Sequence, residues 1–441
     1  MRDEYRIAMR RFTSLLRIGT FFILAICVYS AIRFMSVAGE SATTFPDSLG
    51  YEHATFFGTN ERFWAVPLFY SVVHTSHQRV LLHVVFGSLA WAYLAWQIGL
   101  LARWRKTMIA AVLLIGLTPQ VIHFDLAILS ESLGISFAVA SVAATLHLAQ
   151  TRTRLSKFSW LIFLVLTAFT RPIHLVVLIA CALYCIVAYF FSGRKKRKTS
   201  AIVLSCLSIW GFMQLKGNET ESTLNFYTVL QQRILPDDSS YTWFIKNGMP
   251  DIAGIRNAHG YGTAEQLDPA VREIVQLPIK QTPPMSMVIG GSPLAEWVKS
   301  RGWSTYTRYV LAHPSSARSI IAKRTPQSLS TSDEGFLPTK SHSFVPRQIF
   351  NPWWAWSMIL FSSLLITWFS RARAVVARAL TASTLLASVV FMLSLLMSAI
   401  EYERHSVTVA VILRVLALAS FAAATGSTKI TESDESVDAP V

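Results

Sequence analysis

Runs of apolar residues close to twenty long recur along this chain. That is the length a helix needs to cross the ~30 Å hydrocarbon core of a bilayer. Ten runs are read, at roughly 18–38, 80–101, 108–124, 127–149, 158–170, 173–192, 200–215, 352–370, 376–399 and 406–425. In lipid the backbone must satisfy its own polar groups, so such runs fold as helices. The expected fold is therefore an all-α polytopic membrane protein with about ten transmembrane helices. Composition agrees: 15% of the 441 residues are charged and 52% hydrophobic, where a soluble domain carries about 25% charged residues. A disordered chain, a disulfide-stapled secreted domain and an ordinary cytosolic enzyme are excluded. Cys27, Cys181, Cys185 and Cys206 all lie inside apolar runs, which suits neither a disulfide framework nor a zinc site.

The formal charge of +15 would suggest nucleic acid, but the location of the charges argues against that partner. Basic residues gather in alternate short connectors: Arg2, Arg6, Arg10, Arg11 and Arg17; Arg103, Arg105 and Lys106; Arg152, Arg154 and Lys157; Arg194 to Lys198; Arg371, Arg373 and Arg378. By the positive-inside bias these connectors and both termini are cytoplasmic. Ser36-Val37-Ala38 resembles a signal cleavage site, yet the run before it is long and Arg33 interrupts its end. In either case the segment that follows faces the extracytoplasmic side.

The chain then divides into an N-terminal membrane module, residues 1–215, whose first outer loop is 39–79. An extracytoplasmic segment, 216–351, is long enough for a small domain. C-terminal membrane helices occupy 352–428, and an acidic, Ser-rich tail, 429–441, is expected to be disordered. Within the large segment, Pro293 to Ile321 has helical spacing and 325–343 reads as loop. Aromatic residues among polar ones at 56–79 suit helices lying along the membrane surface. His74, His77 and His83 follow, with no third metal ligand fixed by spacing, so they read as interfacial histidines.

Ionisable residues near membrane depth are costly and therefore mark candidate sites. Asp47, in Pro46-Asp47-Ser48-Leu49-Gly50-Tyr51-Glu52, suits a turn or helix cap; it also suits a general base that takes a proton from an acceptor hydroxyl. Glu52 is a weaker candidate for assisting it. Between two spans lie Thr118-Pro119-Gln120, His123, Asp125 and Ser130-Glu131-Ser132. Glu131 is expected about a turn into its helix, either catalytic or paired with an arginine from another helix. Arg171, in Thr170-Arg171-Pro172, points into the outer cavity or snorkels to headgroups. Glu401-Tyr402-Glu403-Arg404-His405 forms the last short connector. Acids and arginines converge on one face, and guanidinium groups suit a phosphate by charge and bidentate geometry. A carboxylate beside such a clamp suggests transfer from a lipid-phosphate donor.

This arrangement resembles the GT-C superfamily of integral-membrane glycosyltransferases. The similar features are Pro46-Asp47-Ser48 with Tyr51, Leu129-Ser130-Glu131-Ser132-Leu133, Thr170-Arg171-Pro172, Ala312-His313-Pro314 after Tyr306 and Tyr309, and Glu403-Arg404-His405. They run in order over most of the chain. The chain departs from the family pattern at Ser48, where many members carry a second acid, and at His405, where tyrosine is common. The resemblance implies a polyprenyl-phosphate-linked sugar donor, an extracytoplasmic site and inversion at the anomeric centre. It also implies a catalytic acid in the first outer loop, by position Asp47, with Glu52 and Glu131 as further acids. Arg171, Arg404 and His405 are then expected at the donor phosphate, and Tyr51 and Ser130 at the substrate. The acceptor is a glycan, lipid or protein. No cofactor is called for, and nothing in the residues supports a divalent cation. A secondary transporter, or a polymerase or ligase of lipid-linked glycans, are the other function classes for such a chain. Against the transporter stand the absence of two similar halves and the gathering of polar residues at one face.

Overall fold

The computed structural model describes residues 2–51, 54–57, 62–192, 195–217, 219–252, 255–258, 279–282, 285–288, 293–330, 337, 340–370, 373–399 and 401–426. Its helices in the first half are α1 (Arg2–Val37), α2 (Ala65–Tyr70), α3 (Ser76–Leu101), α4 (Arg105–Gly116), α5 (Pro119–Ile122), α6 (Glu131–Thr151), α7 (Arg154–Ala168), α8 (Leu175–Ser192) and α9 (Lys195–Gly217). The large segment contributes α10 (Glu219–Val229), α11 (Asp238–Lys246), α12 (Pro293–Trp297), α13 (Trp303–Ala312) and α14 (Pro314–Ser330). The chain closes with α15 (Trp353–Phe369), α16 (Ala374–Met397) and α17 (Tyr402–Thr425).

Among the described residues, seven helices are long and apolar enough to cross a membrane, and eight if α4 and α5, bent by 54°, form one broken span. The chain is a multi-pass helical membrane protein. The count falls short of the ten expected for a geometric reason. α7 has 15 residues and α15 has 17, about 22 and 25 Å at 1.5 Å per residue, both less than the ~30 Å core. The bend arises where Pro119 opens α5 without a donor for the preceding turn.

Local chemistry sets the ends. Thr75 and Gln78 form a capping box at the start of α3, and the Thr153 side chain caps α7. Arg152, with φ 53°, turns the chain between α6 and α7. At one end of the bundle the connector after α3 meets the end of α17, where Gly426 abuts the Leu101 carbonyl so closely that a Cβ would fall 2.2 Å from it. At the other end lie the first loop, the 123–131 segment and the start of α17.

α6 and α17 are the most buried spans. α17 packs on α15, α16, α14, α6 and α3, and α6 packs on α3, α7 and α17. Deep in the bundle, Arg33 donates to both Asp125 oxygens at 2.8 Å and to the Tyr29 hydroxyl at 2.9 Å. Arg414, 1% exposed, bonds no carboxylate among the described residues; it donates to the carbonyls of Phe350, Leu329 and Ala410.

The large segment has its own core around Phe226, Leu230, Phe244, Trp297, Tyr306 and Tyr309. It is docked to the bundle by Arg233, which donates to Tyr306 and Tyr402 and to the carbonyls of Leu395 and Leu396. The described residues include one short antiparallel hairpin, β1 (Ile279–Thr282) with β2 (Met285–Val288), within an otherwise helical fold. One difference from expectation appears here. The expected loop at 325–343 is helical to Ser330, because α14 lies against α17 and packing carries it through Pro326. The tail expected to be disordered, 429–441, lies outside the described residues.

Candidate functional site

The two most buried helices bring their N-termini to one place. Glu131 is the first residue of α6, not a turn inside it, since Thr43 pairs with the strand-like stretch before it: Thr43 N–H donates to Leu126 O at 2.8 Å, and Ile128 N–H to Thr43 O at 2.9 Å. Ser48 donates to Ile128 O at 2.6 Å. The first loop is thereby stitched to the turn that opens α6, and the 3-10 turn Pro46–Tyr51 hangs over it.

Glu131 is fully buried. Its Oε1 accepts from Arg404 Nε at 2.6 Å and from Arg171 Nη2, while Oε2 has no hydrogen-bond partner. A carboxylate at a helix N-terminus is favoured by the helix dipole. Arg404, in the first turn of α17, is not, and it is compensated three times over. Besides Glu131 it donates to Glu401 Oε2 at 2.9 Å and to Asp47 Oδ2 at 3.0 Å. Glu401 sits in the left-handed region at φ 49°, a conformation costing a non-glycine residue about 1–2 kcal/mol. There its carboxylate reaches Arg404.

Asp47 is the accessible member of the cluster, its side chain 39% exposed. Its Oδ1 pairs with Arg62 at 2.9 Å. Burial by itself pushes the carboxyl up. Arg62 and then Arg404 outweigh it, and His405 adds to them, so that the group is held below the ordinary aspartate value. Arg171 Nε donates to Ser130 Oγ at 3.0 Å. His405 follows Arg404 within electrostatic reach of Arg171 and Glu131.

Asp47, Glu131, Arg171, Arg404 and His405 are thus brought together at this end of the bundle. Arg171 and Arg404 are both on Glu131, the arrangement of a buried acid neutralised from another helix and from the connector between α7 and α8. Tyr51 and Ser130 are buried: Tyr51 packs edge-on to Tyr70 under Arg62, and Ser130 holds Arg171. Glu52 lies outside the described residues. His83 departs from its interfacial reading. It is buried, donates to the Asp125 carbonyl at 2.9 Å and shares a 2.7 Å hydrogen bond with Tyr70, because its face of α3 turns toward the 123–131 segment. Among the described residues, no group of three or more His, Cys, Asp or Glu is placed to hold a metal ion.

Sequence reasoning missed Arg62 and gave no role to Glu401 beyond its connector. Arg62 carries no signal beyond its place in an aromatic, polar loop. Arg414 did carry one, a lone cation inside an apolar run.

The fold and site define a multi-pass helical membrane protein with a cluster of ion pairs at one end of its bundle. Comparison with protein-family models, curated proteins and solved structures finds no match for this chain.

Proposed function

We propose that this protein is an integral-membrane glycosyltransferase that moves a sugar from a polyprenyl-phosphate donor to an acceptor hydroxyl, with Asp47 as general base. The observation that carries this reading is the Asp47 carboxylate. It is accessible at one end of a membrane bundle, clamped by Arg62 and Arg404, and Arg404 is itself fixed by buried Glu131. A carboxylate held below its usual pKa is ionised at neutral pH and can accept a proton, although it gives up some basicity.

In the step proposed, the acceptor oxygen attacks the anomeric carbon while Asp47 takes the hydroxyl proton. The bond from that carbon to the phosphate oxygen breaks, its electron pair leaves on the phosphate, and the anomeric centre inverts. The products are the glycosylated acceptor and polyprenyl phosphate. Negative charge grows on the leaving phosphate, which nearby guanidinium groups stabilise more in the transition state than in the ground state. The connector after α3, with Arg103, Arg105 and Lys106, lies at the end of the bundle away from Asp47, which supports a cytoplasmic position for the basic connectors and both termini and an extracytoplasmic one for Asp47.

The test is purified protein with a panel of polyprenyl-phosphate sugars and glycan, lipid and protein acceptors. The expected result is release of polyprenyl phosphate with stoichiometric sugar on the acceptor. No turnover of any donor, together with flux of a solute across proteoliposomes, would replace this reading with the transporter.

A further inference from the structure

Arg79, on the first turn of α3, is a guanidinium with no carboxylate partner among the described residues. Its Nε is buried without a hydrogen bond, and its Cζ lies 5.1 Å from the centre of the Tyr70 ring. Tyr70 meets Tyr51 edge-on at 6.2 Å, and Tyr51 lies under Arg62, the partner of Asp47. The arginines inside the cluster differ. Arg62, Arg171 and Arg404 each already hold a carboxylate. A phosphate would have to displace Asp47, Glu131 or Glu401 to reach them, and among the described residues it meets no such competitor at Arg79. A partly buried cation beside a membrane is costly until an anion joins it, and a phosphate ester suits a guanidinium in charge and shape.

Below Arg79, Leu82, Phe86 and Tyr93 follow at helical spacing on one face of α3, all partly exposed. Phe69 of α2 packs against Phe86 at 4.8 Å, and Phe163 of α7 against Tyr93 at 6.2 Å. From Arg79 to Tyr93 this apolar strip covers about 21 Å of helix. We propose that Arg79 and this strip seat the donor lipid, its phosphate on the guanidinium and its isoprenoid chain along Leu82, Phe86, Phe69, Tyr93 and Phe163. This rests on the polyprenyl-phosphate reading above and deepens it by placing the phosphate at Arg79 rather than at Arg171 and Arg404.

The experiment is binding, not turnover. Full-length protein in phosphatidylcholine nanodiscs is titrated with farnesyl phosphate. Arg79→Gln is expected to weaken binding about tenfold or more, the scale of a charge-assisted pair, with a melting temperature near wild type because no ion pair is lost. Farnesol and phosphatidylglycerol are expected to compete poorly. A wild-type affinity in Arg79→Gln overturns the site and leaves the transferase reading standing, whereas no binding to wild type removes both. Equal competition by phosphatidylglycerol overturns the proposal in favour of a general headgroup contact. A second measurement leaves Arg79 untouched, should its variant not fold. A photo-crosslinking residue at Leu82 is expected to label with radioactive farnesyl phosphate, and one at lipid-facing Ile202, 53% exposed, is not. Equal labelling at the two positions also overturns the site.

Discussion

Replacing Glu131 by Gln changes little in volume and removes one buried charge. The amide oxygen can stand where Oε1 stands, but the amide NH2 then falls at Oε2, which has no partner in the native fold. Arg404 keeps Asp47 and Glu401. Among the described residues Arg171 then keeps neutral groups, Ser130 Oγ at 3.0 Å and the Arg404 carbonyl at 3.4 Å. Removing one partner of a buried pair costs about 3–5 kcal/mol. With Arg404 still compensated, the loss falls on Arg171 and is expected near the low end, about 3 kcal/mol. Removing Arg171 as well, in Glu131→Gln with Arg171→Gln, is expected to recover at least about 1 kcal/mol of that loss, since contacting partners couple by 0.5–3 kcal/mol. The assay is equilibrium unfolding in mixed micelles titrated with a denaturing detergent. A single variant within about 0.5 kcal/mol of wild type, or a double variant whose losses simply add, would refute the assignment of Glu131 as the acid that neutralises Arg171.

Three further outcomes are expected. Arg62→Gln removes one of the two cations paired with Asp47. The carboxyl is then less depressed, and the acid limb of the transfer rate, which in wild type lies below the ordinary aspartate value of about 3.9, moves up in pH; an unmoved limb would sever Arg62 from Asp47. The sign follows from ionisation: the base is active above its pKa and lost as pH falls through it. A Cβ on Gly87 would lie 2.3 Å from Arg33 Cζ, so Gly87→Ala is expected to push the guanidinium off Asp125 and cost about 3–5 kcal/mol in the same unfolding assay. A reporter active only outside the cytoplasm is expected to be active when fused near residue 260 and silent near residue 196; the opposite pattern would invert the topology.

The ends of the site were legible in the sequence because ionisable residues stood out against apolar runs. Asp47, Glu131, Arg171 and Arg404 are far apart in the chain, and each was conspicuous where it stood. Their pairing was not legible, because which guanidinium meets which acid is decided by the packing of α6 on α17. Arg33 shows the same limit. It read as a blemish at the end of the first span, while Asp125, 92 residues on, read as part of a hairpin tip; only the close approach of α1 to α3 at Gly87 joins them. Hydropathy found the membrane-spanning character of the chain, but not which apolar runs become helices long enough to cross the core. It cannot distinguish a 15-residue helix such as α7 from one that reaches across the core, nor place Ile128 and Leu129, whose apolar side chains extended an apparent span that begins at Glu131.

The central claim is that Asp47 accepts the acceptor proton. Asp47→Asn keeps size and turn geometry, and can still accept from Arg404 through its amide oxygen, but it lacks the basic carboxylate. The decisive measurement is single-turnover transfer from a polyprenyl-phosphate sugar by wild type and Asp47→Asn, with melting temperature and donor affinity measured on the same preparations. The expected result is a rate at least about a hundredfold lower, the lower bound for general-base catalysis, with the melting temperature and donor affinity little changed. Transfer by Asp47→Asn at close to the wild-type rate would contradict the claim and move the base elsewhere in the cluster.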